Sequence, residues 1–261
     1  MIINDNFTLV RVDSGDIDKD GKCVIPFGVQ TIGCYAFQAS SDVKSIVLPN
    51  TVTEIASKAF FKCKNLNNIC LPNSLKKIGS EAFYECKSLE KVFVPNSVVN
   101  MAEKVFCHCL SLREIHLSES LKRIPMHLCF DCKQLSKINI PQNVKSIGGH
   151  AFEHCNALKE IALPDSLEKI RSCAFAFCFE VEQIKIPTSV TDIGRNAFGY
   201  CRSLRMVKMP ETTIMQGDIF MHCDKNLNIE YYKENKLDDL FNAAINSKMS
   251  DATPSNDEPE R

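Results

Sequence analysis

The sequence contains no tryptophan, no run approaching eighteen consecutive apolar residues and no excess of either charge: 31 basic and 32 acidic residues leave a formal net charge of −1. Each absence excludes something. Without an apolar run of about 18 residues no transmembrane helix is expected, so membrane insertion is not. A balanced charge lacks the basic footprint of a nucleic-acid binder, so no nucleic-acid partner is expected. The first residues, MIINDNFTLVRVDSGD, have no basic start, apolar centre or small-residue cleavage site. The expectation is a protein that is cytoplasmic, or secreted without a conventional leader. Only ten glycines are present, and none builds a phosphate-binding loop or a nucleophile elbow; paired catalytic carboxylates are missing too. No enzymatic activity and no cofactor are therefore expected.

What is present is a beat. Pro26, Pro49, Pro72, Pro95, Ser118, Pro141, Pro164, Pro187 and Pro210 are each 23 residues apart. Eleven residues after the anchor stand Phe37, Phe60, Phe83, Phe106, Phe152, Phe175 and Phe198, and fourteen after it Cys63, Cys86, Cys109, Cys132, Cys155, Cys178 and Cys201. A fixed period of 20–50 residues identifies a solenoid, in which each unit buries its apolar groups against its neighbours. The cysteine column recurs with the repeat instead of forming paired spacings, so its thiols read as reduced and buried, small apolar groups in a column and not a disulfide framework.

Within a unit, a stretch such as Leu89-Glu90-Lys91-Val92-Phe93-Val94 alternates and then stops at proline, as a short strand does. The following Val-x-x-Ile-Gly-x-x-Ala-Phe-x-x-Cys spaces apolar residues by three and four, which predicts a short helix. Stacked strands about 4.8 Å apart then form a parallel ladder roughly 40 Å long. The string Ala82-Phe83-Tyr84-Glu85-Cys86-Lys87-Ser88-Leu89 and its repeats resemble the leucine-rich repeats of the BspA-like family over residues 23–232. The resemblance implies an α/β repeat solenoid, a right-handed array with a parallel β-ladder on the concave face and short helices on the convex face. It also implies a scaffold for recognition, since known members include surface adhesins and proteins secreted into host cells.

Around the repeats, residues 1–22 are expected to form an amino-terminal cap, 233–249 a capping helix on the apolar face of Leu237, Leu240, Phe241, Ala244 and Ile245, and 250–261 a disordered polar tail. The fifth unit breaks the pattern: Ser118 replaces proline, Pro125 glycine, Leu128 alanine and Cys129 phenylalanine, with Phe130 one position late.

Three chemical motifs compete with the scaffold reading. His150-Ala151-Phe152-Glu153-His154 matches the H-x-x-E-H pattern of a zinc peptidase, but Ala151 and Phe152 belong to the repeat, so a metal-dependent hydrolase using His150 and His154 is the lesser alternative. Cys107, Cys109, Cys129 and Cys132 lie on adjacent units, as a structural zinc site requires, yet two of them sit in the buried column. Asp16, Asp18 and Asp20 resemble the start of a calcium loop, but the twelfth position is Phe27 rather than glutamate.

What remains for function is the outward side of the ladder. Twenty-one residues after each anchor the column runs Val47, Cys70, Phe93, His116, Asn139, Ala162, Lys185, Lys208. Val47, Phe93 and His116 give an apolar stretch; Lys185, Lys208 and Arg205 give a basic end that nothing in the column compensates, and Arg113 flanks them. Aromatic and arginine side chains are the usual anchors of an interface. The sequence therefore points to a monomeric, non-catalytic scaffold that binds a protein partner through Val47, Phe93, Arg113, His116, Lys185, Arg205 and Lys208, as a secreted effector or host-interaction protein. The alternative is a surface adhesin for matrix protein or glycan.

Overall fold

The computed structural model describes residues 1–233. The helix and tail expected over 233–249 and 250–261 lie outside them, apart from Lys233. The described chain is a solenoid whose 23-residue period sets three hydrogen-bonded ladders, because residues 23 apart meet across neighbouring coils.

The first ladder is the expected one. Its strands are Lys22–Val24, Ser45–Val47, Asn68–Cys70, Lys91–Phe93, Glu114–His116, Lys137–Asn139, Gln183–Lys185, Met206–Pro210 and Asn228–Tyr232, and all pairings are parallel. The middle residue of each three-residue strand faces inward and its neighbours outward, as in Lys91–Phe93, where only Val92 is buried. The ladder is not continuous. It falls into three groups of three strands, and unit six contributes none, although Glu160–Ala162 occupies the strand position. Nothing in that segment, which keeps Ile161 and Leu163, accounts for the break.

The second ladder consists of two-residue strands five and six positions after the anchor from Thr31–Ile32 to Asp192–Ile193, and one position earlier in the last, Ile214–Met215. Residues 1–22 extend it: Thr8–Arg11 pairs in parallel with Thr31–Ile32, and Ile2–Ile3 pairs antiparallel with Thr8–Arg11. This ladder breaks once, between Asn100–Met101 and Arg123–Ile124. The cause is Pro125. At the same place in other units an N–H donates to the preceding coil, Gly79 to Ile55 at 2.8 Å, Ala102 to Ile78 at 3.0 Å and Gly148 to Ile124 at 2.9 Å. Proline has no N–H to give Met101.

The third side corrects the expected helices. Among the described residues there is no α-helix; the one helical turn is the 3-10 segment Ser14–Asp16. The Ala-Phe stretch is a succession of turns whose backbone enters the left-handed region twice per unit, at Lys58 and Lys62, Glu81 and Glu85, Lys104 and His108, and so on through Asn196 and Tyr200. Alternate amides consequently point in two directions. Those of Ala59, Phe61 and Cys63 fold back on the carbonyls of Ala56, Lys58 and Phe60, while those of Lys58, Phe60 and Lys62 donate along the axis to Ser80, Ala82 and Tyr84 at 2.8–2.9 Å. The axial bonds recur in every unit through Tyr200, which donates to Met221, so this side alone forms an unbroken ladder.

Phenylalanine fills the interior. Phe37, Phe60, Phe83 and Phe106 stack with centroids 5.0–5.3 Å apart, and Phe152, Phe175, Phe198 and Phe220 form a second stack at 5.3–5.9 Å. Cys129, buried at the missing phenylalanine position, separates them.

Candidate functional site

The outward column of the first ladder places its apolar residues side by side. Val24, Val47 and Cys70 are in register on three adjacent strands, and Phe93 follows with His116 beside it. Val47 is 43% and Phe93 60% exposed. The Phe93 and His116 rings stack at 4.6 Å and 10°, which fixes both as one flat aromatic unit. His116 also pairs through Nε2 with Glu114 at 3.0 Å, and Lys91 reaches the same carboxylate at 3.2 Å. Those two contacts, His116 first, hold the Glu114 carboxyl below its ordinary value.

The basic end is not uncompensated. Lys208 pairs at 3.2 Å with Glu230, which continues the column on the next strand, and Arg205 pairs at 3.5 Å with Asp224. Lys185 stands in register with Lys208, and both line a cleft of about 510 Å³ opened where unit six lacks its strand. Glu160, Glu180 and Glu182 share that cleft, so its charge is mixed. The column thus brings Val47, Phe93 and His116 into one stripe and leaves Lys185, Arg205 and Lys208 in a separate polar region. Arg113 is exposed beside Glu114, at the edge of the stripe.

The competing motifs come apart. His154 does not join His150: its ring stacks on Phe177 at 4.2 Å and meets Phe130 edge-on, so the two-histidine peptidase arrangement is not formed. The thiols of Cys109 and Cys132 donate to the carbonyls of Phe83 and Phe106 at 3.2 and 3.0 Å, inside the core. Asp18 accepts the amides of Asp20 and Lys22 at 2.9 Å, and these bonds, that of Lys22 first, hold its carboxyl low; the carboxylate organises a turn.

A row of rings on the turn side escaped the sequence reading: Phe61, Tyr84, His108, Phe130, His154, Phe177 and Tyr200. The twelfth and thirteenth positions after the anchor held that signal. Several of these rings cover each other's faces, as Phe177 and Tyr200 do at 4.3 Å and 9°, and this suits them to packing between coils.

The BspA type leucine-rich repeat region is matched in six copies over residues 21–134 and 124–244. No match was found among curated proteins. Among solved structures, a leucine-rich repeat protein from Bacteroides ovatus is 30% identical with a TM-score of 0.75, over 81% of this chain and 55% of its own. The chain thus spans about half the length of that protein. The leucine-rich repeat protein of T. pallidum is also 30% identical, TM-score 0.58, over 63% of this chain and 79% of its own. A leucine rich cell surface protein from Faecalibacterium prausnitzii shares the fold at 20% identity, TM-score 0.52, over 91% of this chain and 94% of its own. With the repeat matched along nearly its whole length and the Phe and Cys columns where that repeat places them, this chain belongs to the BspA-type leucine-rich repeat family.

Proposed function

We propose that the protein is a non-catalytic scaffold that binds a partner protein on the outward side of its first ladder. The observation that carries this reading is the stripe Val24, Val47, Cys70, Phe93 and His116: five consecutive coils expose an apolar or aromatic group at the last residue of the strand, where the repeat does not fix the side chain. The interior apolar columns are buried in the core, and the turn-side rings are half-buried against one another. Around the stripe, charges pair with each other, as Lys91 does with Glu114, so they form a polar rim and leave the apolar centre to the partner. The stacked Phe93–His116 pair is the anchor, because a rigid aromatic surface loses little conformational freedom on binding.

The test is affinity capture followed by affinity measurement on each recovered partner, comparing wild type with Phe93→Ala and with Lys62→Ala on the turn side. Loss of the anchor is expected to weaken binding about 30-fold, and Lys62→Ala to leave it unchanged. Phe93 is exposed, so its removal should leave folding intact. Equal affinity of every partner for wild type and Phe93→Ala would overturn the site.

A further inference from the structure

The ninth position after the anchor forms a single file on the turn side, and in units five to eight it reads His127, His150, Cys173, Asn196. All four are in the left-handed conformation, which aims them alike, one coil apart. The imidazoles of His127 and His150 lie parallel at 4.7 Å. Glu153 folds back on His150, with Oε2 2.6 Å from Nδ1. One imidazole nitrogen of His150, one carboxylate oxygen of Glu153 and Sγ of Cys173 all lie within 4.8 Å of one another, and among the described residues no other three such ligands do. Two atoms in the same file are buried with no hydrogen-bond partner: His127 Nδ1 and Asn196 Oδ1.

We propose that units five to seven bind a zinc-class divalent ion through His150, Glu153 and Cys173, with His127 as the fourth ligand. The donor set decides the class of ion. One thiolate, one carboxylate and imidazole nitrogen suit a borderline-soft tetrahedral ion, whereas calcium and magnesium require oxygen ligands in greater number. All three principal ligands are half-buried, so their side chains have room to adjust from separations within 4.8 Å to the roughly 3.5 Å expected between ligands about 2.0–2.3 Å from a tetrahedral centre. Binding exchanges the thiol proton of Cys173 for the ion and releases that proton to solvent. The resulting thiolate and the Glu153 carboxylate balance the double positive charge.

The position gives the ion a role. Cys129 of unit five interrupts the phenylalanine stack, and units five to seven are the coils the ligands span. Through His127 the ion ties unit five, which has no ring to stack on Phe152, to units six and seven. It is a structural tie between coils, distinct from a hydrolytic centre, because His154 faces Phe177.

The test uses the full chain, reduced, stripped with chelator and freed of any affinity tag, titrated with Co²⁺ and then Zn²⁺. One Co²⁺ per chain should bind with thiolate-to-cobalt charge transfer in the near ultraviolet and tetrahedral visible bands, and Zn²⁺ should abolish both and raise the melting temperature. Cys173→Ser should eliminate the charge-transfer band. Glu153→Gln, a conservative change that spares the fold, should weaken binding at least about tenfold, and His127→Ala similarly. Variants of the exposed thiols, Cys34→Ser and Cys70→Ser, and His154→Ala should bind as wild type does. Absence of the band in wild type, or its persistence in Cys173→Ser, would overturn the site; unchanged affinity in His127→Ala would remove that residue from it.

Discussion

The cysteine column shows how much a single position carries. The thiols of Cys63, Cys86, Cys109, Cys132, Cys178 and Cys201 each donate to the carbonyl of a phenylalanine one coil back, at 2.8–3.4 Å, and Cys155 does the same to Cys129, which replaces that phenylalanine. Cysteine is small enough for the interior and still a donor, which alanine is not. The column itself was legible in the sequence; the bond was not, because its acceptor lies 26 residues earlier. Burial pushes the Cys63 and Cys201 thiols from an ordinary 9.0 up to about 12. A raised value in the folded state means that the unfolded chain releases protons first, so this stabilisation is full below pH 9 and fades as pH rises from 9 towards 12. Alkaline denaturation followed by circular dichroism should show stability declining over that window. Alkylation of the native protein at neutral pH should label Cys34 and Cys70, which are exposed, and label the column only after unfolding.

At the scale of elements, the helix expectation failed for an identifiable reason. Val-x-x-Ile-Gly-x-x-Ala-Phe-x-x-Cys does repeat its apolar residues every three or four, but turns with an i to i−3 bond produce that spacing as well as a helix does. The decisive feature is the left-handed pair flanking Ala-Phe, and its residues range from Lys and Glu to His, Cys and Asn, with no glycine among them to announce it. Each such residue costs roughly 1–2 kcal/mol, which the axial hydrogen bonds must offset. Lys104, at φ 59°, isolates the effect because its side chain forms no ion pair among the described residues. Lys104→Val should destabilise by about 1–2 kcal/mol, since branching at Cβ opposes this conformation, while Lys104→Gly should range from neutral to about 1 kcal/mol stabilising. Urea titrations of the two variants separate this from a generic surface effect, which would shift both alike. By contrast, the strands of the first ladder were legible, because period-two alternation stopped by proline has few other readings; the two-residue strands of the second ladder were not, because they fall inside the stretch read as helix.

At the scale of the whole molecule, the breaks in the first two ladders are staggered while the third has none, and that arrangement assigns unit five a cost that the rest of the array carries. Pro125 cuts the second ladder between units four and five, and Cys129 cuts the phenylalanine stack at the same coil. The first ladder runs unbroken from Lys91–Phe93 to Lys137–Asn139, and the axial turn bonds from Lys104, Phe106 and His108 reach Met126, Leu128 and Phe130. Those contacts hold the two halves together. Ser118 repairs part of the damage: in the anchor position it donates to Val98 O at 2.7 Å, a bond that Ser74 and Ser97, two residues after their anchors, make in regular units at 2.6–2.7 Å. In a one-dimensional array, stability is approximately the sum of unit and interface contributions. Excising residues 72–94, a regular unit, removes the fully buried Phe83 and one good interface, and should lower the melting temperature by several degrees. Excising residues 118–140 removes both Pro125 and Cys129, brings Phe106 onto Phe152, and lets the Gly148 amide reach Met101. That deletion should leave the melting temperature unchanged or raised despite the shorter chain. Calorimetry on the pair decides the matter: an equal loss from both deletions would show that the fifth unit contributes as much to stability as any other.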